Sequence, residues 1–314
     1  MATFYNQATL SFNGTLTNSN IITGELVEVL SAEKRAINDS YTGTDNITYV
    51  ISMVNSGTRD LNGICVKDNL GEYKHKGTSV FPLTYVEGTV HYYVNGDLQA
   101  TPDVTAGPPL VIRNLSIPAG GSALLIYIAE PNEFASPKTK AKIRNVAKIS
   151  GPGLCRDIEV YDTIGSADIA QLNISKSISP TTVIENGRLT YTFVIQNTGN
   201  TPATREDDVI VTDTFNPRLR NLTVTLNGTV LNEGTQYTYD KKKGEFETVA
   251  GVITVPAARY DRECDGGWSI DPGVAVLQVT GTVWAKKGRE FSEELSEEQN
   301  EESNEKLNEK TNEE

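Results

Sequence analysis

Two lysines, two aspartates and two asparagines stand in rows where strand alternation calls for apolar side chains. Residues two apart share one face of a strand. Lys34 falls in the row Leu30, Ala32, Lys34, Ala36, and Lys176 in the row Leu172, Ile174, Lys176, Ile178. Asp68 follows Ile64 and Val66 and precedes Leu70; Asp213 follows Val209 and Val211 and precedes Phe215. Asn145 shares a face with Ile143, Ala147 and Ile149, and Asn6 with Phe4, Ala8, Leu10 and Phe12. An amine, a carboxyl and a carboxamide buried together can react. Burial favours the neutral amine and the protonated acid. The acid polarises the carboxamide, the amine attacks its carbon, and ammonia leaves as a new amide forms. The expected crosslinks join Lys34 to Asn145 with help from Asp68, and Lys176 to Asn6 with help from Asp213. The same pattern also suits a buried salt bridge with a hydrogen-bonded amide, or side chains near sandwich ends that reach out to water.

Strands must position these groups. Short alternating runs such as Ile47 to Val54, Thr89 to Val94, Ala123 to Ala129, Thr190 to Gln196 and Val274 to Val283 recur at sandwich spacing. Asn13-Gly14, Asn62-Gly63, Asn95-Gly96, Asn186-Gly187 and Asn227-Gly228 are the hairpin signals between them. The predicted fold class is all-β.

An internal repeat organises the chain. Lys34, Tyr49, Asn55 and Gly57 match Lys176, Tyr191, Asn197 and Gly199 at a constant offset of 142. After a three-residue insertion, Ile64, Val66, Asp68 and Leu70 match Val209, Val211, Asp213 and Phe215. The expected organisation is an N-terminal donor strand and linker over 1–28, an immunoglobulin-like sandwich over 29–165, a second over 166–285, and a disordered Glu-rich tail over 286–314.

The segments Ile174 to Ser177, Tyr191 to Asn200 and Val211 to Phe215 resemble the bacterial "conserved repeat domain" of unknown function, family eleven of that series. The resemblance is close over about 172–283 and looser over 30–150. It implies immunoglobulin-like modules of bacterial and archaeal surface proteins, and the whole chain is similar to two-repeat proteins of spore-forming clostridia, some of which build appendages on the spore. Lysine on the first strand, aspartate midway and asparagine on the last also resembles the arrangement in surface sandwiches that carry isopeptide bonds.

The second repeat lacks its last strand. After Val274 to Val283 the chain enters Lys286-Lys287-Gly288-Arg289 and a tail whose only large apolar residues are Phe291, Leu295 and Leu307, too few to fill an inward face. The opening segment has the missing chemistry: Asn6, Ala8 and Ser11 match Asn145, Ala147 and Ser150 at an offset of 139. This strand can close on the second sandwich of its own chain or enter that of another molecule. By analogy with the Asn145 strand, which sits in the sandwich preceding its linker, the second geometry is expected, and a head-to-tail contact that does not close makes a filament.

Composition narrows the function. The net charge is −13, of which residues 288–314 carry −8, and no basic stripe points to nucleic acid or anionic membranes. The longest apolar run, Ala123 to Ala129, is too short to span a bilayer, so no membrane insertion is expected. Met1 to Asn6 has neither a basic nor an apolar secretion signal, which predicts synthesis in the cytoplasm and display on a spore surface or extracellular appendage. Two histidines and three cysteines, Cys65, Cys155 and Cys264, are few for a metal site or disulfide framework, and no cofactor or metal is expected. Lateral disulfides remain one use of the cysteines, unpaired thiols another.

Glu206, Asp207, Asp208 and Asp213 lack the ligand ladder of a calcium loop and read as an acidic loop. Tyr92, Tyr93, Tyr237 and Tyr239 suit a carbohydrate platform or, more commonly, cross-strand packing. The expected function is a non-enzymatic structural subunit of a surface fibre, with itself, paralogous subunits or spore-coat proteins as partners. A monomeric adhesin, its opening strand closed on its own chain, is the alternative.

Overall fold

The computed structural model describes residues 2–26, 29–43 and 45–284. The expected disordered tail, 286–314, lies outside the described residues. The chain is all-β, with two tandem sandwiches, each with its own apolar core. One compact unit runs through Asp168 and includes Tyr260–Ile270; the other holds Ile169–Arg259 and resumes at Asp271.

The chain opens with β1 (Ala2–Asn6), β2 (Thr9–Phe12), β3 (Thr15–Asn18) and β4 (Ile22–Leu26). Here β1 pairs antiparallel with β4, and β2 with β3, as one long hairpin. Its turn is Asn13-Gly14, both at positive φ (47° and 78°), as the tight hairpin turn requires. Neither apolar core includes a residue of this hairpin. Phe4, Tyr5, Leu10, Phe12, Leu16 and Ile22 are all exposed on it.

The first sandwich comprises β5 (Leu30–Ala36), β6 (Ile47–Asn55), β7 (Leu61–Asp68), β8 (His91–Val94), β9 (Asp97–Leu98), β10 (Asp103–Thr105), β11 (Leu110–Ile117), β12 (Ser122–Pro131), β13 (Lys142–Ser150) and β14 (Ile158–Ser166). One sheet has the order β9-β8-β12-β6-β5 and the other β10-β11-β7-β13-β14, the latter extended by Ser40–Tyr41 beside β14. Strict alternation builds the core: Ile47, Tyr49, Ile51 and Met53 of β6 face Ile64 and Val66 of β7, Leu125 and Tyr127 of β12, and Ile143 and Ile149 of β13. Each such aliphatic or aromatic burial contributes about 1.5–3 kcal/mol.

The second sandwich comprises β15 (Leu172–Ser179), β16 (Arg188–Asn197), β17 (Thr212–Thr214), β18 (Leu219–Leu226), β19 (Thr229–Val230), β20 (Tyr237–Asp240), β21 (Glu245–Thr248) and, after Arg259–Arg262 and Trp268–Asp271 have paired with each other, β22 (Gly273–Val283). Its sheets run β19-β18-β22-β16-β15 and β20-β21-β17. In order and pairing these eight repeat β5–β12 of the first sandwich; β13, β14 and the short strands Ser40–Tyr41, Tyr73–His75, Thr78–Val80 and Leu83–Tyr85 have no counterpart among the described residues.

Two sequence expectations change here. Asn95-Gly96 and Asn227-Gly228 do turn hairpins, but Gly63 lies inside β7, where the pairing with β11 shifts register, and Asn186-Gly187 forms a turn leading into β16. Turn propensity is local, and at those two places a bulge and a loop use it instead. The Asn145 strand is also not the last of its sandwich. β14 follows and pairs with it over eight residues, Lys142↔Gly165 through Ile149↔Ile158.

Candidate functional site

Three strands on two facing sheets converge in the first sandwich. β5 carries Lys34 opposite Ile51, β7 carries Asp68 opposite both Leu110 and Ala147, and β13 carries Asn145 opposite Asp162. All three side chains are buried: Lys34 is 2% exposed, Asp68 1% and Asn145 0%. Lys34 Nζ lies 2.5 Å from Asp68 Oδ2. The same oxygen accepts a 2.5 Å hydrogen bond from the Tyr127 hydroxyl, while Oδ1 accepts the Leu70 backbone N–H at 2.9 Å. The amine also sits 4.7 Å from the ring centroid of Tyr49 and 5.9 Å from that of Tyr127, two rings stacked 5.6 Å apart.

Burial sets the protonation chemistry of this pocket. It lowers the Lys34 pKa, and the opposing charge and hydrogen bond of Asp68 do not cancel the effect. Burial, with the adjacent Asp68 charge adding to it, raises Tyr127 and Tyr49, so both hydroxyls stay protonated. Asn145 is the anomaly. Neither Nδ2 nor Oδ1 makes a hydrogen bond of ordinary geometry, although the Tyr49 and Tyr127 hydroxyls lie within its reach. Native cores rarely keep a carboxamide in that state. An amine held towards neutrality, an acid beside it and an unclaimed carboxamide are the ingredients of amide exchange.

The second sandwich holds half of this arrangement. Lys176, opposite Phe193 on β15, is paired with Asp213 on β17, and Tyr191, Phe193 and Phe215 stand 4.5, 5.6 and 5.7 Å from the amine. The sequence placed Lys176 inside. Its side chain is instead 41% exposed, and that of Asp213 16%. The physical reason is the open side of the sandwich. β17 pairs with β21, Asp213 opposite Phe246, and its other edge has no strand among the described residues. That edge is where β13 sits beside β7 in the first sandwich. Asn6, the expected partner of Lys176, lies on β1 opposite Ile22 and is exposed.

No protein-family profile matches the chain, and no curated protein matches it. Among solved structures it is similar to the major pilin subunit BcpA of Bacillus cereus, at 12% identity and a TM-score of 0.35, covering 87% of this chain and 73% of that one. It is also similar to a collagen-binding domain from a Staphylococcus aureus adhesin (13%, 0.28, covering 43% of this chain and 96% of that one). The pilus backbone protein of Streptococcus pneumoniae overlaps at 10% and 0.31, covering 77% of this chain and 55% of that one. Overlaps this loose say nothing of chemistry or partners, which must come from the chain's own residues.

Several other residues now have places. Asn55 and Asn197, matched in the repeat without a role, are fully buried pegs. Asn55 Nδ2 donates to the carbonyls of Arg59, Ile117 and Pro118, and Asn197 Nδ2 to those of Thr201 and Pro256. Tyr127 was missed because the second repeat has Val279 at the matching register position. The only available signal was its inward place in the row Ala123, Leu125, Tyr127, Ala129.

The acidic loop is a short 3-10 turn at Arg205–Asp207, with Asp207 accepting from the Thr204 backbone. Tyr92, Tyr237 and Tyr239 are buried, so packing rather than a carbohydrate platform accounts for them. Cys65 is half-buried on β7; Cys155 and Cys264 are exposed. Among the described residues no group of three His, Cys, Asp or Glu side chains is placed to hold a metal ion, and no helix is long and apolar enough to cross a membrane.

Proposed function

We propose that this protein is a structural subunit of a surface fibre that polymerises head to tail, β1 of one molecule entering the second sandwich of the next. One observation carries the proposal. The eight strands β15–β22 repeat β5–β12 in order and pairing, and the sandwiches part beside the aspartate strand, where β13 lies against β7 and nothing described lies against β17. The segment with β13's chemistry, β1, stands outside both cores with its apolar residues exposed. Inserted beside β17, it supplies main-chain hydrogen bonds, and alternate side chains fix its register so that Asn6 faces Lys176.

The lock is chemical in this reading. Lys34 passes its proton to Asp68, and the neutral amine attacks Cγ of Asn145. Asp68 hands that proton to the departing nitrogen and takes the second proton, which the attacking nitrogen sheds as the new amide forms, so ammonia leaves and Asp68 ends protonated. One C–N bond forms and one breaks, so each crosslink lowers the mass by about 17 Da. Lys176, Asp213 and Asn6 repeat the step between subunits, making the fibre one covalent chain. The protein turns over no substrate, binds no nucleic acid and needs no cofactor. A spore surface or extracellular appendage is the proposed place of work, following the resemblance of the repeats.

Purified protein is expected to give a ladder of oligomers that survives boiling in detergent, and deletion of residues 2–14 to abolish it. A wild type that stays monomeric, as a strand closed on its own chain would make it, or a ladder that persists in the deletion, overturns strand donation.

A further inference from the structure

We infer that the donated element is a two-stranded hairpin, with β4 taking the place that β14 holds in the first sandwich. The inference rests on the strand-donation reading and sharpens what is donated. The place to be filled is two strands wide. In the first sandwich β13 completes the sheet beside β7, and β14 pairs with β13 and closes the side of the sandwich against β5, where Asp162 Oδ2 accepts the Ala36 backbone N–H at 2.7 Å. β5 is accordingly buried at Leu30 and Lys34, whereas β15 is exposed along nearly its whole length, Ile174 and Ile178 included. One strand beside β17 would extend the smaller sheet and leave β15 uncovered.

β1 already carries a second strand in the right relation. β4 pairs antiparallel with β1 as β14 does with β13, placing Ile22 opposite Asn6 where Asp162 stands opposite Asn145. The inward faces also pack as pairs. Ile143 lies opposite Ile164 in the first sandwich; the matching positions hold Phe4 opposite Gly24. The Phe4 ring lies over Gly24 so closely that a Cβ there would meet its Cζ at 2.3 Å. One ring lying over a glycine stands where two isoleucines face each other, so in both strand pairs the two positions form a single apolar unit on the inward face. Ile22 in place of Asp162 brings an apolar side chain towards the exposed Ile174 and Ile178.

Two measurements on the full chain separate this from single-strand donation. Hydrogen exchange of assembled fibre against monomer is expected to slow both Ala2–Asn6 and Ile22–Leu26 by at least about a hundredfold, because a lone hairpin is marginal and a core element opens rarely. The variant G24I overpacks the inward face and is expected to lower the fibre yield about tenfold; F4I/G24I, which rebuilds the isoleucine pair of the first sandwich, is expected to restore it. If fibres form with β1 protected and Ile22–Leu26 exchanging as in the monomer, or if G24I assembles like wild type, the hairpin inference is overturned and strand donation stands. If wild type forms no fibre, both fall.

Discussion

Replacing Asn145 with alanine separates a crosslinked core from a merely packed one, because the two give opposite signs. If Lys34 and Asn145 are joined, the bond closes a loop of 111 residues. Loop-closure entropy for a crosslink across about 100 residues is roughly 4.7 kcal/mol. For a unit of this size each kcal/mol moves the melting temperature by about 2–4 °C, so Asn145→Ala is expected to melt about 10–20 °C below wild type. If no bond forms, the wild type buries a carboxamide whose nitrogen and oxygen make no hydrogen bond of ordinary geometry, a burden of about 1–3 kcal/mol. Alanine then removes the burden, and the variant melts at or above wild type. The assay is scanning calorimetry of both proteins together with intact mass. Wild type is expected about 17 Da lighter than its sequence, and the variant at its sequence mass. A wild type at full sequence mass together with an undiminished variant melting temperature would refute the reasoning.

Two further outcomes follow from the same pocket. In Asn145→Ala, Lys34 keeps its amine, and its folded pKa lies below the unfolded 10.5. Between those values the unfolded chain binds more protons, so stability rises with pH up to about 10.5. Tyr49 and Tyr127 have raised pKa values and act oppositely above about 10, where the folded state keeps protons that the unfolded state has lost. The variant should therefore show a rising limb that turns over near pH 10, and crosslinked wild type should lack that limb, since an amide nitrogen does not titrate there; parallel thermal melts across pH check both. Asp68→Ala should show no mass deficit, and melting curves should place it about 3–5 kcal/mol below Asn145→Ala, because it leaves the buried Lys34 amine, the Tyr127 hydroxyl and the Leu70 N–H without the carboxylate they share.

Much of the first sandwich's site was legible because period-two alternation is a strong signal in strands buried on one face. Lys34, Asp68 and Asn145 interrupt apolar rows, and all three are buried, Lys34 against Asp68 and Asn145 near the Tyr127 hydroxyl that donates to Asp68. Tyr127 was not legible as a participant. It looks like any inward aromatic, and the repeat gave it no counterpart. The exposure of Lys176 was misjudged because alternation reports which face a side chain shares, not whether that face is covered. β14 and β4 escaped comparison for a related reason: the inferred likeness lies in the strand pair taken together, Phe4 over Gly24 against Ile143 facing Ile164, which position-by-position matching cannot see.

Under the proposed strand donation, the flank of β17 that no described strand covers has a consequence for growth. A fibre assembled through it has unlike tips, one offering an uncapped lysine and aspartate, the other a loose greasy ribbon. Each addition consumes one of each and regenerates one of each, so elongation alone has no built-in stop. Length is then set by supply, or by a terminator that carries the ribbon without the groove or the groove without the ribbon.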